Sequence, residues 1–136
     1  MKIIVVNGFS GSGKDTFEEY VKEVGDAFGY KVAKTSMVEY TKEQAKKLGW
    51  AGGKTLQDRR FLSDLKDSLT RWNDSPFQDV LNKIDYYKKE NYTLLFIDAR
   101  EPEDIDRLKL SDPNVETLLV RRPSTENITY GNHADD

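Results

Sequence analysis

The sequence predicts an α/β domain built on a parallel sheet with helices on both faces. Three observations lead there. Apolar runs too short to be helices alternate with segments of 3.6-residue periodicity. Those runs lack the polar alternation of a half-exposed strand. Polar residues stand abruptly at the ends of the two most apolar runs, Asn7-Gly8 after one and Asp98 after the other. At 136 residues the chain suits a single domain over 1–136, with no room for a second core.

Taken in order, Lys2-Ile3-Ile4-Val5-Val6 is β-branched throughout and reads as the central strand. Residues 13–28 then place Phe17, Tyr20, Val21, Val24 and Phe28 at helical spacing, and Gly29 supplies the stop. Residues 30–35 read as a second strand and 37–48 as a helix ending at Gly49, with Trp50-Ala51-Gly52-Gly53 as a connection. Between Thr55 and Trp72, the residues Leu56, Phe61, Leu62, Leu65, Leu69 and Trp72 recur three or four apart with one longer gap, which predicts one long amphipathic helix. Asn73-Asp74-Ser75-Pro76 breaks it, and Phe77, Val80, Leu81, Ile84 and Tyr87 mark another helix with lysines on its far side. Residues 92–97 form the second wholly apolar strand. Pro102, Glu103 and Asp104 open a short helix that ends near Leu110, because the first turn does not use the donor proline lacks and acids suit the positive end of the helix dipole. Residues 115–120 read as the last strand, leading to Arg121, Arg122 and Pro123, and 124–136 are polar.

Composition narrows the function. A net charge of −3 and a pI near 5.3 give a field that repels DNA or RNA, so no nucleic-acid partner is expected. The absence of cysteine removes disulfides, thiolate metal sites and a cysteine nucleophile, and suits a reducing cytoplasm. The apolar run 3–6 is too short for an export signal, and no stretch approaches the ~20 apolar residues of a membrane span, so the expected location is cytoplasmic.

The chemistry is concentrated at strand ends. Gly8-Phe9-Ser10-Gly11-Ser12-Gly13-Lys14-Asp15 fits G-x-x-x-x-G-K between a buried strand and a helix, the context a phosphate-binding loop requires. Gly8, Gly11 and Gly13 let the backbone curl so that its N–H groups, with those of Ser10 and Ser12, converge on an anion, and the helix start adds its positive end. Lys14 reaches the β and γ phosphates as a point charge. Asp15 stands where Ser or Thr would place a hydroxyl on magnesium; a carboxylate beside phosphates is sensible there as a magnesium ligand, direct or through water. Thr16 lies ~100° further round the helix and is offered to the α-phosphate instead. Asp98 closes an apolar strand as an acid must if it is to hold Mg²⁺ at the carboxyl end of the sheet. Arg100, Arg121 and Arg122 leave two strands on the same rim, where guanidinium groups neutralise charge on a transferred phosphoryl group.

Two apparent motifs carry less. Gly53-Lys54-Thr55 lacks the first glycine and a preceding strand, and reads as a helix N-terminus. Asn82-Lys83-Ile84-Asp85 matches a guanine-reading element, but inside an amphipathic helix rather than at a strand end. His133 sits in the polar tail and reads as a solvated imidazole.

On Gly8 to Thr16 with its Gly-Lys-Asp-Thr ending, Asp98-Ala99-Arg100 after an apolar strand, and Arg122-Pro123 after the next, the chain resembles the small P-loop kinases. Within them it is most similar to phage-type deoxynucleoside monophosphate kinases and their adenylate-kinase-related relatives. The resemblance implies a Rossmann-like three-layer sandwich, mostly parallel, with strand order 2-3-1-4-5. It further implies ATP with Mg²⁺ as donor, a (deoxy)nucleoside monophosphate as acceptor, and a helical section, here about 37–90, that covers the acceptor. Arg59, Arg60, Lys66 and Arg71 are the cations of that section available to the acceptor phosphate; for each alone a solvated helix face is an equal reading. The family pattern continues into a fifth strand and a terminal helix, whereas this sequence ends with a lid-like tail over about 123–136. The sheet is therefore expected to keep an open edge that invites pairing with another copy. Three functions follow: γ-phosphoryl transfer from ATP to a nucleoside monophosphate, the same transfer to another small phosphorylated metabolite such as phosphomevalonate, or a nucleotide-binding module with little catalysis.

Overall fold

The computed structural model describes residues 1–8 and 13–120 of the chain. Its elements run β1 (Lys2–Asn7), α1 (Lys14–Ala27), β2 (Val32–Ser36), α2 (Glu39–Lys47), α3 (Leu56–Asn73), α4 (Ser75–Lys89), β3 (Leu94–Asp98), α5 (Pro102–Ser111) and β4 (Val115–Leu119). The four strands form one all-parallel sheet in the order β2-β3-β1-β4, the expected order up to the fourth strand. Each predicted strand and helix is present, with ends displaced by at most two residues.

Local chemistry sets the boundaries. Gly29 and Gly49 take φ of +81° and +108° just past α1 and α2, a conformation open to a residue without Cβ. Thr55 caps α3 in a reciprocal box: its hydroxyl accepts from Asp58 N–H at 3.1 Å, while the Asp58 carboxylate accepts from Thr55 N–H at 3.1 Å. The Gly-Lys-Thr triplet is thus a helix start, as its context suggested, and Asn82 to Asp85 lie inside α4. Asp74, at φ +56°, both ends α3 and begins α4, and Arg107 of α5 fastens it by donating to both carboxylate oxygens at 2.9 and 2.7 Å.

Strand register sorts the side chains into two cores. Ile3 and Val5 pair with Leu95 and Ile97, and with Ala33 they pack against Phe77, Val80 and Ile84 of α4 and Leu108 of α5. The opposite face carries Ile4, Val6, Val32, Leu94 and Phe96, packed against Val21 of α1, with the Phe17 ring edge-on to Phe96 at 6.0 Å. This second face is the thinner one: among the described residues α1 is the helix whose side chains pack on it. Tyr20 and Phe28 accordingly stay 66% and 74% exposed, so the apolar stripe of α1 is only partly covered. Leu56 and Trp72, expected on the inner face of α3, are also exposed because that helix packs through Leu62 and Lys66 instead.

The connections create a crevice. The chain leaves β1 for α1 on one face of the sheet and leaves neighbouring β3 for α5 on the other, so the carboxyl ends of β1 and β3 part at a topological switch point. No helix among the described residues is long and apolar enough to cross a membrane.

Candidate functional site

The crevice gathers several of the residues that the sequence singled out. Gly8 is buried just past β1, and Gly13, at φ +99°, forms the left-handed N-cap of α1 with no side-chain cap of its own. Among the described residues no side chain caps the first-turn amides of α1, which suits an external anion. Lys14 is the first residue of the helix, and its ammonium lies 3.7 Å from Asp98 Oδ2 and 3.7 Å from Asp15 Oδ1. Asp98 ends β3 and Arg100 follows it, half-buried. Thr16 is exposed. Ser10, Gly11, Ser12, Arg121 and Arg122 lie outside the described residues.

Two charged residues that the sequence reading passed over complete the cluster. On the sheet face under α1, alternation along the strands places Lys34 beside Phe96 and two residues short of Asp98 in register. One turn below Lys14, Glu18 points at the same spot and is only 2% exposed. Lys34 Nζ donates to Asp15 Oδ1 at 2.8 Å and lies 3.3 Å from Glu18 Oε1. Oxygens of Asp15, Glu18 and Asp98 come within 4.8 Å of one another. The signal for Glu18 was available: an acid flanked by Phe17 and Val21 on the apolar side of a helix is a buried polar group, and such groups are informative.

Electrostatics follow from this crowding. Burial pushes the Glu18 carboxyl up to about 8, reinforced by the neighbouring Asp98 carboxylate, against the opposing pull of Lys34. The hydrogen bond from Lys34 holds Asp15 below its ordinary value, with burial opposing and Lys14 assisting. Burial alone would lower Lys34, but the Asp15 hydrogen bond and the surrounding carboxylates outweigh it and hold the ammonium above its ordinary value. Among the described residues neither Glu18 oxygen accepts a hydrogen bond, and Asp98 Oδ1 is likewise buried without a donor. An all-oxygen set of carboxylates with orphaned lone pairs fits a hard divalent cation such as Mg²⁺.

The helical section distributes its cations differently from expectation. Lys66 is 4% exposed, donates to Asp104 Oδ2 at 2.5 Å and lies 3.6 Å from Glu101. Its charge is held inside the fold by these two acids at the start of α5. Arg59 is half-buried and donates through Nε to the Lys54 carbonyl at 3.1 Å. Arg60 is exposed, and exposed Arg71 donates to Ser68 Oγ at 3.4 Å. These cations are spread along α3 and do not converge as the crevice residues do.

No protein-family model matches the chain, and no curated protein matches it.

Proposed function

We propose that the chain is a P-loop phosphotransferase that moves the γ-phosphoryl group of ATP to a (deoxy)nucleoside monophosphate. The observation that carries this reading is the meeting of three parts at one switch point. These are a helix opened by a left-handed glycine, a lysine at its first position, and an aspartate closing the adjacent strand 3.7 Å from that lysine. Ser10, Gly11 and Ser12 enter on their motif positions alone, as do Arg121 and Arg122.

In this reading the amides at the start of α1 hold the β-phosphate and Lys14 bridges the β and γ oxygens. Magnesium, when bound beside Asp15 and Asp98, neutralises charge on the same oxygens. An oxygen of the acceptor monophosphate attacks the γ phosphorus in line, the bond from γ phosphorus to the β–γ bridging oxygen breaks, and ADP leaves with the new nucleoside diphosphate. The attacking phosphate oxygen is already ionised, so no general base is needed, and the work left to side chains is positioning and charge neutralisation. Arg100 stands on the rim for that task.

ADP release measured with Mg·ATP and a panel of nucleoside monophosphates, with phosphomevalonate included, tests the proposal. Acceptor-dependent release with one or more monophosphates is expected. Release with phosphomevalonate alone would move the acceptor class, and ATP binding without any acceptor-dependent release would leave a binding module.

A further inference from the structure

We infer that Glu18 is a direct ligand of the divalent cation, completing a three-carboxylate site with Asp15 and Asp98, and that the Lys34 ammonium competes with the cation for those carboxylates. The inference rests on the nucleotide reading for what the ion does, but not for where it binds.

Glu18 is buried with little to compensate its charge. It is 2% exposed under an apolar stripe, and among the described residues neither of its oxygens accepts a hydrogen bond, although Lys34 Nζ lies 3.3 Å from Oε1. A buried carboxylate left in that condition costs several kcal/mol unless a proton or a cation compensates it. The geometry favours a cation. Two oxygens bound at ~2.1–2.5 Å to one ion stand at most ~5 Å apart, and the three carboxylates offer oxygens within 4.8 Å of one another. Asp98 Oδ1, the second orphaned oxygen, belongs to the same group.

Charge points the same way. If all three are ionised, the carboxylates outnumber by one the ammonium groups of Lys14 and Lys34 that stand against them. When Lys14 turns to a polyphosphate, two uncompensated negative charges remain, which one divalent cation balances. Lys34, bonded to Asp15 and close to Glu18, stands on the same oxygens and must yield to an incoming ion. Glu18 lies one helical turn from Lys14, so the lysine that receives phosphate and the acid that receives the cation share one face of α1.

The experiment is a Mn²⁺ titration of the full chain without nucleotide, with free Mn²⁺ followed by electron paramagnetic resonance. One Mn²⁺ displaceable by Mg²⁺ is expected. Glu18→Gln, which keeps the shape of the side chain, should weaken binding by about 10-fold or more, and Lys34→Met should tighten it. A second readout needs no variant: in wild-type protein, Mn²⁺ should broaden the carboxylate carbon resonances of Glu18 and Asp98 before those of acids elsewhere. Unchanged affinity in Glu18→Gln, a sharp Glu18 resonance at saturation, or weaker binding in Lys34→Met would overturn the inference. ATP binding is scored separately. Its absence beside an intact Mn²⁺ site refutes the nucleotide reading only, and its presence beside an indifferent Glu18→Gln refutes the cation assignment only.

Discussion

Lys14 Nζ stands 3.7 Å from Asp98 Oδ2, joining the first residue of α1 to the last residue of β3. Both side chains are largely covered, at 14% and 12% exposure, so the attraction is weakly screened by solvent. The pair sits where a polyphosphate would be flanked by an ammonium on one side and a cation-binding acid on the other. Asp98→Asn should therefore lower magnesium-dependent phosphoryl transfer by about 100-fold or more while leaving metal-free ATP binding within a few-fold. Steady-state kinetics over a magnesium series, with ATP binding measured in chelator, checks this.

The buried Lys66 behaves as a structural cation. Asp104→Ala removes its closest partner and leaves an ammonium inside the fold, so it should destabilise the protein by about 3 kcal/mol in a urea melt. Replacing both residues by apolar groups, Lys66→Met with Asp104→Leu, should recover most of that loss. If Lys66 instead served the acceptor, the double variant would raise the acceptor KM at unchanged stability.

Acid should weaken the molecule at two joints. Asp74 is held below its ordinary value of 3.8 by the Arg107 hydrogen bonds, and Asp112 is held down by the Lys88 hydrogen bond. For a carboxyl with a depressed native value, the stabilisation is complete above the unfolded value and is lost as pH falls through the native one. Thermal melts should thus be flat in this respect at neutral pH and fall below about pH 4, where the unfolded carboxyls begin to bind protons. Asp74→Asn with Asp112→Asn should flatten the acid limb. An undiminished acid slope in that double variant would show that other carboxyls are responsible.

At Gly25, α1 packs closely against β2. A Cβ there would stand 2.8 Å from Val32 Cγ2, with the Tyr30 Cβ and carbonyl oxygen also in contact. Gly25→Ala should cost about 1–3 kcal/mol by overpacking, despite the better helix propensity of alanine. Gly25→Ala combined with Val32→Ala should recover part of it, and an additive loss would place the clash elsewhere.

Strands and helices were legible because periodicity is strong where burial is asymmetric. The apolar runs at 2–6 and 92–97 announced central strands, and Asp74 to Pro76 announced the joint between α3 and α4. Less legible were the depths of side chains on the face that α1 covers: the spacing of Tyr20 and Phe28 promised burial that the described residues on that face do not supply. At the site, Gly8, Gly13, Lys14, Asp15 and Asp98 could be named because a phosphate loop and a strand-end acid have fixed spacings. Glu18 and Lys34 have no such spacing. They meet only through the packing of α1 on β2, a contact between elements that periodicity within one element cannot specify. Lys66 is the opposite case: a lysine on a long helix reads as solvated or free for a ligand, and its burial against Asp104 depends on a contact with α5.

Isothermal titration of ATP with Mg²⁺ into the wild-type chain and into Lys14→Ala asks whether the start of α1 holds a polyphosphate. One site is expected in the wild type, with binding at least about 10-fold weaker once the Lys14 ammonium is gone. Absence of heat and of competition by ADP in the wild type, or equal affinity in the two proteins, would contradict it.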